Sequence, residues 1–139
     1  FDLVHRVPEW ERTYWDAFRS AMTLRAGFPE VLRDWRAAGH RVAITTDLVF
    51  DVQLGKLASL GLLPGIDALA TSEEAGADKP DPRVLLLGAS RLGLPVASCV
   101  VVGDSPAKDG GAAHALGIPF IHVDPQAPSP DVLRMALGM

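Results

Sequence analysis

The sequence predicts an α/β fold in which a parallel sheet has helices on both faces. Short apolar runs alternate with helical patterns from residue 41 onward, and the third run is continuously apolar, as in a strand buried on both faces. Right-handed crossovers bring the carboxyl ends of such strands to one edge of the sheet, where ligands bind. The predicted strands are RVAIT (41–45), IDALAT (66–71), CVVVG (99–103) and PFIHV (119–123).

The segments that follow these strands have the periodicity and the end signals of helices. Pro82 lies in the first turn of the second segment, and Gly61 and Gly93 end the first and second segments. In the last segment Ser129 is the expected cap, because Pro130 follows it at the first helical position. The four predicted helices are DVQLGKLASLG (51–61), DPRVLLLGASRLG (81–93), PAKDGGAAHALG (106–117) and SPDVLRMAL (129–137).

The first 40 residues differ from the rest because they contain two amphipathic helical patterns and no predicted strand. In the first pattern Trp10, Tyr14 and Phe18 recur every four residues. In the second, Val31 and Trp35 lie on one helical face. We expect these aromatic stripes to pack into the core, since apolar residues at this spacing usually form a buried face.

Length, charge and cysteine content exclude several classes of protein. A chain of 139 residues suffices for one domain with a hydrophobic core. A net charge of −4 provides no basic face, so we expect no nucleic-acid partner. No apolar run approaches the roughly 20 residues that span a membrane, and no signal-peptide pattern is present. With Cys99 as the single cysteine, the expected location is the cytoplasm.

Two aspartates follow the third predicted strand in the segment GDSPAKDGG. Asp104 comes directly after the strand, and Asp109 lies in the first turn of the next helix, where it can face the same pocket. Carboxylate oxygens in this arrangement suit Mg²⁺, which binds through one or two carboxylates and keeps several waters. The alternative is structural: Ser105 or Asp109 caps the helix and Asp104 forms a hydrogen bond within a turn.

Other polar residues lie at the ends of the first two predicted strands. Thr45 and Thr46 end the first strand, where a hydroxyl group could donate to a phosphoryl oxygen or could bond the backbone. Lys79 follows the second strand in GADKPDPRVL, where its ammonium could neutralise a phosphate or could be solvated in a loop. Because all these residues lie at carboxyl ends of parallel strands, a shared anion site is expected.

The ordered set of hydroxyl, lysine and paired aspartates resembles the haloacid dehalogenase (HAD) superfamily of hydrolases. The segment ending in Thr46 is similar to the second motif of that family, the segment around Lys79 to the third, and VVVGDSPAKDGG to the fourth. The resemblance implies a Rossmann-like fold and Mg²⁺-dependent chemistry, most often phosphate ester hydrolysis. It also implies that Asp104 binds Mg²⁺ directly and that Asp109 binds it directly or through water.

The resemblance further implies roles in substrate binding. Thr46 would bond a phosphoryl oxygen, and Lys79 would stabilise the nucleophile and the negative charge that develops in the transition state. Asp47 stands where many relatives have asparagine, so this candidate substrate-binding residue introduces an anion near the phosphate. Its carboxylate would either repel the phosphate or turn away to cap the next helix, and capping is the expectation.

The first motif of the family, Asp-x-Asp-x-Thr after an apolar strand, is not present. The segment FDLVHRV begins similarly but has Val4 and Arg6 at the key positions. We therefore expect residues 1–26 to be the tail of a helical cap and residues 27–139 to be a core that lacks its first strand. In relatives that strand lies between those of the second and fourth motifs, so its absence leaves backbone groups unpaired at about 1–3 kcal/mol each.

The resemblance implies a Mg²⁺-dependent phosphatase that acts on a small phosphorylated metabolite through an aspartyl-phosphate intermediate. The nucleophile would come from a segment outside this sequence or from a second chain, and a second chain or a homo-oligomer would supply the missing strand. One alternative is a non-catalytic binding or regulatory protein that has lost the nucleophile. A second alternative is a haloacid dehalogenase, which the pair of metal-binding aspartates disfavours.

Overall fold

The computed structural model describes residues 4–127 and 129–136, and within them helices and parallel strands alternate as predicted. No described helix combines the length and the apolar character needed to cross a membrane. The strands are β1 (Ala43–Thr46), β2 (Ala68–Thr71), β3 (Val101–Gly103) and β4 (Phe120–His122). The helices are α1 (Val7–Ala21), α2 (Phe28–Ala37), α3 (Phe50–Ser59), α4 (Ser72–Ala75), α5 (Arg83–Leu92), α6 (Gly111–Ala115) and α7 (Pro130–Ala136), with a π-helical turn at Pro106–Gly110.

All four predicted strands are confirmed: β1, β2 and β3 begin two residues later than their apolar runs, β1 ends one residue later, and β4 is one residue shorter at each end. The strands pair in parallel, with Thr46 of β1 opposite Thr71 of β2 and Gly103 of β3 opposite His122 of β4. The carboxyl ends of paired strands are therefore level with each other. The polar residues that follow them lie along the same edge, as parallel pairing requires.

The sheet is divided into two pairs of strands, β1–β2 and β3–β4, with no pairing between β1 and β3. A cavity of about 760 Å³, which we call the central cavity, is lined by residues 42–45 on the β1 side and 99–102 on the β3 side. Protein interiors contain few voids larger than a water molecule. The facing edges of β1 and β3 thus border an opening and do not form a continuous sheet.

Helix α5 packs against β1 and β2. It has more buried residues than any other described helix. Gly88 permits this close approach, because a β-carbon at this position would lie 2.8 Å from Thr45 Cγ2. The side chains of Val84 and Leu85 pack in the main core cluster together with Ala70 and Val101. The core therefore includes strands of both pairs and holds the two halves of the sheet on a common helix layer.

The expectation that the aromatic stripe of α1 packs into the core is wrong. Trp10, Tyr14 and Phe18 are 45%, 60% and 41% exposed, and α1 has no buried residue. The pattern of α1 correctly predicts an amphipathic helix, but only Lys56 of α3 lies over its Trp15 and Phe18 rings among the described residues, and the stripe remains largely exposed. By contrast, Val31 of α2 is 1% exposed, so the second stripe does contribute to the core.

The alternative first motif at residues 1–7 falls partly outside the described residues, since residues 1–3 are not described. Of this segment the structure describes Val4–Arg6, which form a 3₁₀ turn that leads into α1.

Candidate active site

Lys79 lies at the centre of the carboxyl-end edge and is not a solvated loop residue. Its Nζ donates to Asp109 Oδ1 at 2.7 Å and to the carbonyl oxygen of Thr45 at 3.2 Å. The Lys79 and Asp109 side chains are each only 10% exposed. A buried ammonium needs such partners, because an unpaired charge in the interior is costly. The structure thus brings the predicted lysine and one predicted metal ligand into direct contact.

Asp109 reaches this position because the chain turns tightly after β3. It lies in the π-helical turn, and its Oδ2 accepts a hydrogen bond from the Ser105 N–H at 3.2 Å. The carboxylate packs directly on the α-carbon of Gly103, since a β-carbon at Gly103 would lie 2.5 Å from Asp109 Cγ. Ser105 Oγ accepts from the Lys108 N–H at 3.2 Å. Ser105 is therefore the cap that the structural alternative proposed, whereas Asp109 is not.

Asp104 differs from Asp109 because its side chain is free to bind a ligand. It is exposed at the end of β3 and makes no hydrogen bond or ion pair with the part of the chain that the structure describes. No group of three potential metal ligands occurs among residues 4–127 and 129–136. This donor set still fits Mg²⁺, which takes one or two protein carboxylates and completes its shell with water and phosphate oxygens.

The Thr46 hydroxyl is held in place by Gln53, a residue that the sequence analysis did not identify. Gln53 Nε2 donates to Thr46 Oγ1 at 2.9 Å and to the Asp47 carbonyl oxygen at 2.9 Å. Gln53 lies in the first turn of α3, directly after the loop that follows β1. That location was the available signal, because the first turns of helices after parallel strands border the ligand site in such folds.

The expectation that Asp47 caps α3 is wrong. The N-cap residue is Val49, without a side-chain cap, and the Phe50 N–H donates instead to Glu73 Oε2 at 2.8 Å. Leu48, with a φ of 101°, lies in the left-handed region that is unfavourable for a leucine. Its N–H donates to Ser72 Oγ at 3.1 Å, so residues after β2 hold this strained loop from outside.

The Asp47 carboxylate instead faces the other loops of the site. Its Oδ1 accepts from the Lys79 N–H at 3.1 Å, and its Oδ2 pairs with Lys108 Nζ at 2.9 Å. Partial burial by itself would raise the pKa of Asp47, but the hydrogen bonds from Lys108 and Lys79 outweigh it and lower this pKa below its ordinary value. Asp47 therefore stays ionised, with a neutralising lysine beside it.

Of the predicted site residues, the structure brings Asp47, Lys79 and Asp109 into one connected network. Thr46 lies next to this network on β1, and Asp104 lies at the end of β3, five residues before Asp109. All five are at the carboxyl-end edge of the sheet. Such an arrangement of one buried cation, one free carboxylate and a hydroxyl is suited to a dianionic ligand with a divalent metal.

Comparison with known proteins identifies the family and the fold. A family model described as haloacid dehalogenase-like hydrolase matches residues 3–117. The ribulose-1,5-bisphosphate 5-phosphatase of Halopiger xanaduensis is 36% identical over 116 residues, which are 84% of this chain and 48% of that protein. The phosphoserine phosphatase of Thermus thermophilus is 32% identical over 135 residues, or 91% of this chain and 54% of that protein.

The chain spans about half the length of these curated relatives. Among solved structures, a HAD phosphatase from Thermococcus onnurineus aligns with a TM-score of 0.75 at 26% identity, covering 83% of this chain and 58% of that one. This likeness confirms the predicted Rossmann-like α/β fold. The family model and the relatives likewise confirm the resemblance on which the sequence analysis depended, and the chain belongs to the haloacid dehalogenase-like hydrolases.

Proposed function

We propose that this chain provides the core of a Mg²⁺-dependent phosphatase that acts on a small phosphorylated metabolite. The supporting observation is the buried Lys79–Asp109 pair, which lies at the same edge as the unpaired carboxylate of Asp104. Three relatives named as phosphatases act, by their names, on ribulose-1,5-bisphosphate, phosphoserine and glyceraldehyde 3-phosphate. These names support a phosphate ester as the substrate class.

The proposed chemistry is phosphoryl transfer, in which positioning and charge neutralisation provide most of the catalysis. Asp104 would hold Mg²⁺, with Asp109 as a second ligand directly or through water, and the bound cation would neutralise charge on the phosphoryl group. Lys79 would provide a second positive charge at the reacting phosphate. The Thr46 hydroxyl accepts from Gln53 and donates to the Asp47 carbonyl oxygen at 3.0 Å, and it would turn its proton to a phosphoryl oxygen when a phosphate binds.

We propose that the nucleophile is an aspartate on an extended segment outside this sequence, which fills the central cavity between β1 and β3. The unpaired edges of these two strands could bond such a segment on both sides. Trp35 also lines this cavity, and its indole N–H is buried without a hydrogen-bond partner among the described residues. A buried donor without a partner costs about 1–3 kcal/mol, which an occupant of the cavity could recover.

In this proposal the nucleophilic carboxylate attacks phosphorus and the bond from phosphorus to the ester oxygen breaks. The leaving alkoxide takes its proton from a second carboxylic acid, and water then cleaves the aspartyl-phosphate to return the enzyme and inorganic phosphate. We further propose that residues 1–26 are the tail of a helical cap and residues 27–139 the catalytic core. The exposed Trp10, Tyr14 and Phe18 side chains of α1 support a neighbour of this kind.

The test is turnover of p-nitrophenyl phosphate and a panel of metabolite phosphates by the protein at its natural length, with Mg²⁺ or with a chelator. Asp104→Asn is expected to lower kcat by at least about 100-fold, because it removes a group that stabilises charge in the transition state. The matched control is Asp131→Asn. It removes a carboxylate of α7 that is 81% exposed and has no role in the proposed site. Undiminished turnover by Asp104→Asn would refute the metal role, and no turnover by the wild type would favour a binding protein.

A further inference from the structure

The Asp47–Lys108 pair lies beside the proposed phosphate site and has no role in the chemistry described so far. Lys108 Nζ lies 2.9 Å from Asp47 Oδ2, and the two residues are 61 positions apart in the chain. The pair therefore joins the loop after β1 to the turn after β3, across the opening between the two halves of the sheet. Together with the Lys79–Asp109 pair it links these halves at their carboxyl ends.

The charge of Asp47 poses a problem for any anionic ligand at this edge. Its carboxylate is bonded to the backbone N–H of Lys79, the same residue whose ammonium would meet the phosphate. Two like charges a few ångströms apart repel each other, and the repulsion is stronger in a cleft than in bulk water. Asp47 is 20% exposed, so solvent screens its charge only in part.

Lys108 neutralises the Asp47 carboxylate, because its ammonium donates to Oδ2, the oxygen that the Lys79 N–H does not bond. It does so from the exposed side, since the Lys108 side chain is 56% exposed. The Lys108 backbone is fixed in turn, because its N–H donates to Ser105 Oγ at 3.2 Å. The ammonium is thus held between the acidic turn and Asp47, without a contribution to the hydrophobic core.

We propose that Lys108 is a positioning residue for phosphate binding: it neutralises Asp47 and holds that carboxylate against the Lys79 N–H, so that a phosphate can enter the site. This inference rests on the proposed phosphatase function. Lys108 acts through Asp47 and does not touch the reacting atoms. Its loss leaves an uncompensated anion beside the phosphate, which weakens binding of the anion and affects the chemical step less.

The experiment measures KM and kcat for p-nitrophenyl phosphate and the inhibition constant of inorganic phosphate, in the protein at its natural length. Lys108→Met is expected to raise KM and the phosphate inhibition constant about fivefold, the effect of a partly screened charge pair, while kcat changes by less than twofold. Lys108→Arg keeps the charge and is expected to retain tight phosphate inhibition. Arg33→Met removes a cation from an exposed pair with Glu30 and is the matched control.

The decisive variant is the double substitution Asp47→Asn/Lys108→Met, which removes both charges of the pair. Because the asparagine oxygen can still accept from the Lys79 N–H, phosphate inhibition is expected to return to within twofold of the wild type. The inference is overturned if the phosphate inhibition constant of the double variant is as high as that of Lys108→Met. It is also overturned if Lys108→Met and Arg33→Met change this constant equally. If the wild type hydrolyses no phosphate ester, the proposed function fails and the inference fails with it. If the wild type is active but the double variant does not regain phosphate inhibition, only the inference is refuted.

Discussion

Replacement of Lys79 by methionine should destabilise the core strongly, because the lysine neutralises a buried carboxylate. The variant loses the ammonium that lies 2.7 Å from Asp109 Oδ1 and 3.2 Å from the Thr45 carbonyl oxygen. Asp109 then retains only the Ser105 N–H at 3.2 Å as a hydrogen-bond donor. With both partners of the pair 10% exposed, removal of one is expected to cost about 3–5 kcal/mol of the free energy of unfolding.

The assay is urea-induced unfolding of the protein at its natural length, followed by circular dichroism. With a urea dependence of about 2 kcal/mol per molar, this loss lowers the midpoint by roughly 1.5–2.5 M. The double variant Lys79→Met/Asp109→Asn carries no unpaired charge and should recover at least about half of the loss, since neutral replacements of both partners are often tolerated. Arg33→Met breaks an exposed pair and should cost less than about 1 kcal/mol.

Two results would refute this reasoning. A Lys79→Met variant that loses less than about 1 kcal/mol would show that Asp109 finds another partner or is solvated. A double variant no more stable than Lys79→Met would show that the loss comes from packing of the lysine stem and not from the charge of Asp109.

Two further predictions concern the acidic turn and the pH dependence of stability. Gly103→Ala would place a methyl group on the Asp109 carboxylate and should abolish turnover, whereas Gly65→Ala, whose β-carbon would meet only an ordinary contact 3.9 Å away, should leave turnover unchanged. The hydrogen bonds from Arg91 lower the pKa of Glu74 from 4.5 to about 2, so this carboxylate stabilises the fold above pH 4.5 and ceases to do so as the pH falls towards 2. Urea midpoints measured from pH 6 to 2 should fall over that window. In Arg91→Met the free energy of unfolding that is lost over this window should be smaller by about 1 kcal/mol or less. An unchanged pH profile would show that Arg91 does not set the pKa of Glu74.

The positions of the candidate site residues could be predicted because they depend on local patterns. Asp104 follows an apolar run and Thr46 ends another, and an apolar run bounded by polar residues predicts a strand wherever it occurs. Parallel pairing then places every strand end at one edge, so the shared location of these residues follows from connectivity. The family resemblance added the expected roles of Lys79 in charge stabilisation and of Asp109 in metal binding, which stay predictions, and the contact between the two residues was not expected.

The errors of the sequence analysis have a common physical cause. The helical period of Trp10, Tyr14 and Phe18 shows that one face of α1 is apolar, but periodicity contains no information about what covers that face. In the same way, an aspartate before a helix is in general a good cap. The Asp47 carboxylate instead bonds Lys79 and Lys108, and only the tertiary structure places these two partners beside it. Both errors are choices between local and tertiary partners.

The sequence alone determined the order of strands and helices and the edge of the sheet at which polar residues gather. These properties follow from the period of apolar residues and from motifs of a few neighbouring positions. Only the tertiary structure decided that Lys79 pairs with Asp109, that Lys108 neutralises Asp47, and that Gln53 holds the Thr46 hydroxyl. The ion pairs join residues 30 and 61 positions apart, and such contacts depend on how the loops pack, which no local pattern specifies.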